Sequence, residues 1–203
     1  MKFLHKIPLL LIYSRLVFAA VILWLAIFKP SYYPGLIIVL MITGLLSDIF
    51  DGIIARRLNI STVSLRRLDT TIDLIFWLAI AVATYLLHPD FYFRNVFKIL
   101  LIVGLEGICY GVCLIKFRKE VATHAISSKL WTLIMFAALV QIVASGDSVL
   151  LFNLCFYTGI LNKLEIIAML LIIKKWHNDI PTVYHAVLLR KEKAIKRNKL
   201  FNG

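Results

Sequence analysis

Apolar runs of about 20 residues alternate with short polar stretches along the chain, and a helix needs a run of that length to cross a hydrocarbon core. Six such runs are present: Pro8 to Phe28, Pro34 to Ile54, Leu68 to Leu87, Val96 to Ile115, Ala125 to Ser145 and Val149 to Ile173. Turn-forming residues punctuate them. Pro30 and Pro34 flank the first connection, His88-Pro89-Asp90 divides the third run from the fourth, and Ser145-Gly146-Asp147 divides the fifth from the sixth. The pattern predicts an all-α integral membrane bundle of six transmembrane helices. Residues 1–173 form the transmembrane domain and 174–203 a basic tail. The first run follows Lys2 and Lys6 but is too long for a signal-peptide core, so it is read as a retained helix. Within the tail, Thr182 to Arg197 reads either as a short amphipathic helix on an anionic leaflet or as a solvated basic segment.

Composition agrees. Hydrophobic residues make up 61% of the chain, against about 45–50% in soluble domains. The net charge of +12 adds an orientation. Lys2, Lys6, Arg56, Arg57, Arg66, Arg67, Lys116, Arg118, Lys119 and Lys129 fall on one side, together with the basic tail. The other side has Lys29, Arg94 and Lys98. The positive-inside rule then makes both termini cytoplasmic, in a multi-pass protein of the cell membrane. Because the basic residues sit at the ends of apolar runs, they speak for anionic lipid and against nucleic acid. Cys109, Cys113 and Cys155 lie in apolar runs, in a pattern that suits neither a disulfide framework nor zinc.

Against this background, four acidic residues stand out. Asp48 and Asp51 are spaced i,i+3, and Asp69 and Asp73 i,i+4, so each pair shares one helix face. A carboxylate at the bilayer centre costs roughly 2.5–3.5 kcal/mol on insertion scales. If the second and third helices form a hairpin, both pairs reach the same depth. One or two divalent ions with a preference for oxygen ligands would neutralise the cluster. The alternative is an ion-pair cluster with Arg56, Arg57, Arg66 and Arg67.

The run Asp48-x-x-Asp51-Gly52-x-x-Ala55-Arg56, continued at Asp69-x-x-x-Asp73, resembles the signature of the CDP-alcohol phosphatidyltransferase family, D-x-x-D-G-x-x-A-R-x8-G-x3-D-x3-D. Every fixed position is filled at the family spacing except one, where Leu65 replaces glycine. Weaker resemblance extends to Ile7-Pro8 and Arg15 in the first helix, and to Lys129-x-x-Thr132, which is similar to a G-K-x-x-T element with Ser128 at the glycine.

The resemblance implies an enzyme of phospholipid biosynthesis. Its donor would be CDP-diacylglycerol or another CDP-alcohol, its acceptor an alcohol, and CMP the leaving group. It implies Mg²⁺ or Mn²⁺, two ions, held by Asp48, Asp51, Asp69 and Asp73, with Asp73 also the general base. Asp51, Gly52, Ala55 and Arg56 would receive the CDP-alcohol. It also implies a homodimer. Arg66, Arg67 and Lys129 are candidates for an acceptor phosphate such as that of glycerol 3-phosphate, or are simply positive-inside charge. Thr70-Thr71-Ile72 after Asp69 matches neither the D-P-V-A-D-K form associated with glycerophosphate enzymes nor the D-S-L-A-D form of serine enzymes, so the acceptor stays open.

A catalytically inactive relative and a small cation transporter are the competing readings, the latter because intramembrane acids also line ion paths. Gly104, Gly107 and Gly111 suit close helix packing, expected within the monomer ahead of a dimer face. Glu106 and Lys163 are a candidate intramembrane pair, and Glu165 has no assigned role.

Overall fold

A computed structural model describes residues 7–58, 62–123, 125–193 and 195, with the side chains of Arg56, Val63, Ser64 and Arg66 outside the description. The chain is all-α: α1 (Ile7–Phe28), α2 (Tyr33–Arg57), α3 (Val63–Leu87), α4 (Pro89–Arg94), α5 (Val96–Phe117), α6 (Ile126–Ser145), α7 (Val149–Ile172) and α8 (Val183–Arg190). Six of these are long and apolar enough to cross a membrane: Ile7–Phe28, Tyr33–Ala55, Arg67–Leu87, Val96–Phe117, Ile126–Ser145 and Val149–Ile172. The six-helix membrane architecture read from the hydrophobic pattern is the one observed. Two short helices come in addition. The sequence marked His88-Pro89-Asp90 as a break, and α4 starts at Pro89, where a missing N–H is harmless because the first turn has no intrahelical acceptor for it.

The chain divides into two compact units, Met1–Tyr92 with Leu139–Asp147, and Phe93–Ala138 with Ser148–Gly203. In the first, α1 is the shared partner and packs closely on both α2 and α3. Its buried stripe is Ile12, Arg15, Ala19, Ile22 and Ala26, spaced three or four residues apart. The two alanines let neighbouring helices approach. The sequence expectation was a plain α2–α3 hairpin, whereas the close backbone packing is that of each helix on α1. Side chains still join α2 to α3. Gly44 faces the buried ring of Phe76, which occupies the space where a Cβ would stand.

In the second unit α5 packs on α7, and α7 on α8. Cys109 and Cys113 of α5 bury with Ile166, Met169, Leu170 and Ile173, and with Ala186 of α8. Thus α8 covers part of this core. It covers less of the tail than the predicted Thr182–Arg197, of which Ala194 and residues 196–197 lie outside the described residues. The Lys116 Nζ donates to the carbonyls of Leu170 (2.9 Å) and Leu171 (2.8 Å), capping the end of α7 where the helix dipole is negative. Backbone bonds from Asp179 to Ala122 (2.9 Å) and from Ile180 to Thr123 (2.7 Å) tie the segment after α7 to the one before α6.

The second unit also contains the charge pair the sequence raised. Lys163 is buried at 4% exposure, pairs with Glu106, and holds its ammonium 4.3 Å from the centre of the Trp131 ring. Gly159 admits that indole, and a Cβ there would lie 2.6 Å from Trp131 Nε1. The glycines of α5 behave differently. A Cβ at Gly104, Gly107 or Gly111 meets nothing within 4 Å among the described residues.

Candidate metal centre

The four aspartates converge as their spacing predicts. Asp48 and Asp51 stand on one face of α2, near its C-terminal end, and Asp69 and Asp73 on one face of α3, near its start. One oxygen from each of Asp48, Asp51 and Asp69 lies within 4.8 Å of the other two. Asp51 is buried, whereas Asp48, Asp69 and Asp73 are partly exposed.

At the centre of this group is Arg15, a member of the buried stripe of α1. Its side chain has no exposed surface. Nη1 donates to Asp48 Oδ1 at 2.9 Å and pairs with Asp73. Nη2 donates to Asp69 Oδ1 at 2.6 Å and to Asp51 Oδ2. Each terminal nitrogen therefore bridges one aspartate of α2 to one of α3. Nε makes no hydrogen bond among the described residues. The planar guanidinium fork explains why an arginine does this: its N–H groups point in fixed, divergent directions, while an ammonium is a point donor. Like charges this close repel, and a cation among them offsets part of that repulsion.

In the sequence Arg15 stands out only as part of the family-like first helix, with no role in the site. A signal was present: a lone charge at the stripe position between Ile12 and Ala19, on a helix otherwise buried through apolar and small residues. Arg57 and Arg67 are exposed, and the side chains of Arg56 and Arg66 fall outside the described residues.

The other expected residues take these places. Gly52 follows Asp51 within α2, and Ala55 is buried one turn later. Leu65, at the departed glycine position, lies in the first turn of α3, where its N–H donates to Thr62 Oγ1 at 3.1 Å. That backbone is helical and needs no glycine. Lys129 belongs to the first turn of α6, in the second unit, beside Ser128. Ser127 and Ser128 both accept hydrogen bonds at 2.8 Å from the Asn162 amide, which fixes the start of α6 to α7.

The donor set fits a hard divalent cation. It consists of carboxylate oxygens, it is compact enough for one ion to touch three side chains, and two of those three residues, Asp48 and Asp69, are partly exposed.

Comparison with known proteins points the same way. The model of the CDP-alcohol phosphatidyltransferase family matches residues 5–172. A CDP-diacylglycerol--glycerol-3-phosphate 3-phosphatidyltransferase of Aquifex aeolicus (strain VF5) is 29% identical over 171 residues, which cover 84% of this chain and 92% of that protein. No solved structure matches the chain significantly.

Proposed function

Because the chain belongs to the CDP-alcohol phosphatidyltransferase family, we propose that it moves the phosphatidyl group of CDP-diacylglycerol onto glycerol 3-phosphate. The reaction class follows from membership: metal-dependent phosphatidyl transfer from a CDP-alcohol, by a multi-pass membrane enzyme of lipid metabolism. The carrying observation is the convergence of Asp48, Asp51 and Asp69 within the family motif. The choice of acceptor rests on the name of the Aquifex aeolicus relative, which is similar over most of both chains.

In this reading Asp48, Asp51, Asp69 and Asp73 would hold Mg²⁺ or Mn²⁺, with two ions expected. When bound, such ions neutralise phosphoryl oxygens and stabilise the departing phosphate. Asp73 accepts the proton of the acceptor hydroxyl. The hydroxyl oxygen forms a bond to the phosphorus that bears the diacylglycerol. The bond from that phosphorus to the bridging oxygen breaks, and CMP leaves with the bridging oxygen. Gly52 and Ala55 keep the α2 face low, so the nucleotide approaches the backbone, and Arg56 meets its phosphates. Arg66 and Arg67 receive the acceptor's phosphate; a guanidinium suits that dianion. The positive-inside distribution supports a cytoplasmic active site and cytoplasmic termini.

The test is CMP release and labelled-lipid formation by the purified protein in mixed micelles. CDP-diacylglycerol is supplied with glycerol 3-phosphate, serine, inositol or inositol phosphate in turn. Turnover with glycerol 3-phosphate alone is expected. Turnover with another acceptor, and none with glycerol 3-phosphate, overturns the assignment.

A further inference from the structure

We propose that Arg15 is a positioning residue of the metal centre that restrains divalent-ion binding by sharing all four carboxylates. The inference rests on reading the four aspartates as the metal ligands.

Place is the first argument. Arg15 comes from α1, is wholly buried, and binds an oxygen of every aspartate in the cluster. Its two terminal nitrogens form two layers, Asp48 with Asp73 and Asp51 with Asp69, each bridging α2 to α3. A cation entering the cluster meets carboxylates that already share a positive partner.

Charge is the second. Four carboxylates and one guanidinium sum to about −3, so two divalent ions bring the site to about +1. A net charge in a low-dielectric surrounding is unfavourable. Without Arg15 the same site is neutral with two ions. Arg15 therefore opposes ion loading, and removing its charge favours the loaded site.

The experiment measures Mn²⁺ binding by electron paramagnetic resonance on the purified full chain, with and without CDP-diacylglycerol in the micelles. Arg15→Met removes the charge at similar length. It is expected to bind Mn²⁺ at least about tenfold more tightly than the wild type when donor is absent, since one unit charge within contact distance of the ion has gone. The factor by which donor tightens Mn²⁺ binding should stay the same in that variant, because the attraction between ion and donor does not include Arg15. Arg15→Lys keeps the charge and is expected to stay within about threefold of the wild type. Unchanged or weaker Mn²⁺ binding in Arg15→Met overturns the proposal. If Arg15→Met is recovered folded only with Mn²⁺ in the buffer, the ion has replaced the arginine and the proposal stands. Aggregation regardless of Mn²⁺ overturns it, because Arg15 is then a structural tie. Asp48→Asn separates the underlying assignment: wild-type Mn²⁺ affinity in that variant removes Asp48 as a ligand, whatever Arg15 does.

Discussion

The Glu106–Lys163 pair offers a prediction that can be worked through in energy. Glu106→Gln keeps the shape and removes the charge, leaving the buried Lys163 ammonium against the Trp131 ring. Removing one partner of a buried pair costs about 3–5 kcal/mol. Glu106 is 41% exposed, which lowers that figure, and the retained cation–π contact supplies about 0.5–2 kcal/mol. A net loss of roughly 2–3 kcal/mol follows. Lys163→Met strands Glu106 on a helix whose surroundings are apolar, at a cost of about 2–3 kcal/mol. Glu106→Gln with Lys163→Met removes both charges together and should lose clearly less than the sum of the two single losses. Reversible unfolding in mixed micelles, followed by circular dichroism, gives the full cycle. Single losses that add, within about 0.5 kcal/mol, in the double variant would mean that the two charges do not interact, and the reasoning fails.

Other predictions concern the site and its supports. Asp73→Asn should abolish lipid transfer while CDP-diacylglycerol still binds; full activity would remove the base assignment. Exhaustive chelation should stop CMP release, and Mg²⁺ or Mn²⁺ should restore it; undiminished turnover would exclude a divalent centre. Gly44→Ala sets a methyl group against the Phe76 ring. Overpacking of about 1–3 kcal/mol outweighs a helix-propensity gain of about 1 kcal/mol, and adding Phe76→Leu should recover stability in the same unfolding assay. Leu65→Gly restores the family residue in a helical turn. It should lower stability by about 1 kcal/mol, with no rise in kcat; a large gain in activity would show that the leucine obstructs the nucleotide.

The spans were legible because they depend on local properties: length, hydrophobicity and the placement of breakers. Asp48, Asp51, Asp69 and Asp73 were legible for a related reason, since i,i+3 and i,i+4 spacing decides a shared face before any helix packs on another. Their link to a family came from a contiguous motif between Asp48 and Asp73. Glu106 and Lys163 could be nominated as a pair because two charges in apolar runs need partners.

What tertiary structure decided was which distant residues share a place. Arg15 lies 33 residues before Asp48 and 54 before Asp69, and no local rule sends it into their cluster. It arrives there because α1, through its small stripe residues, packs on both α2 and α3. The docking of Ala186 against the end of α7 was likewise a matter of packing. A one-dimensional pattern states that a face is apolar or small but not what covers it. The sequence alone thus determined the helices, the carboxylates and their chemistry. The assembled helices decided that those carboxylates are held by a guanidinium, whose charge only proximity in space can bring to bear on a metal.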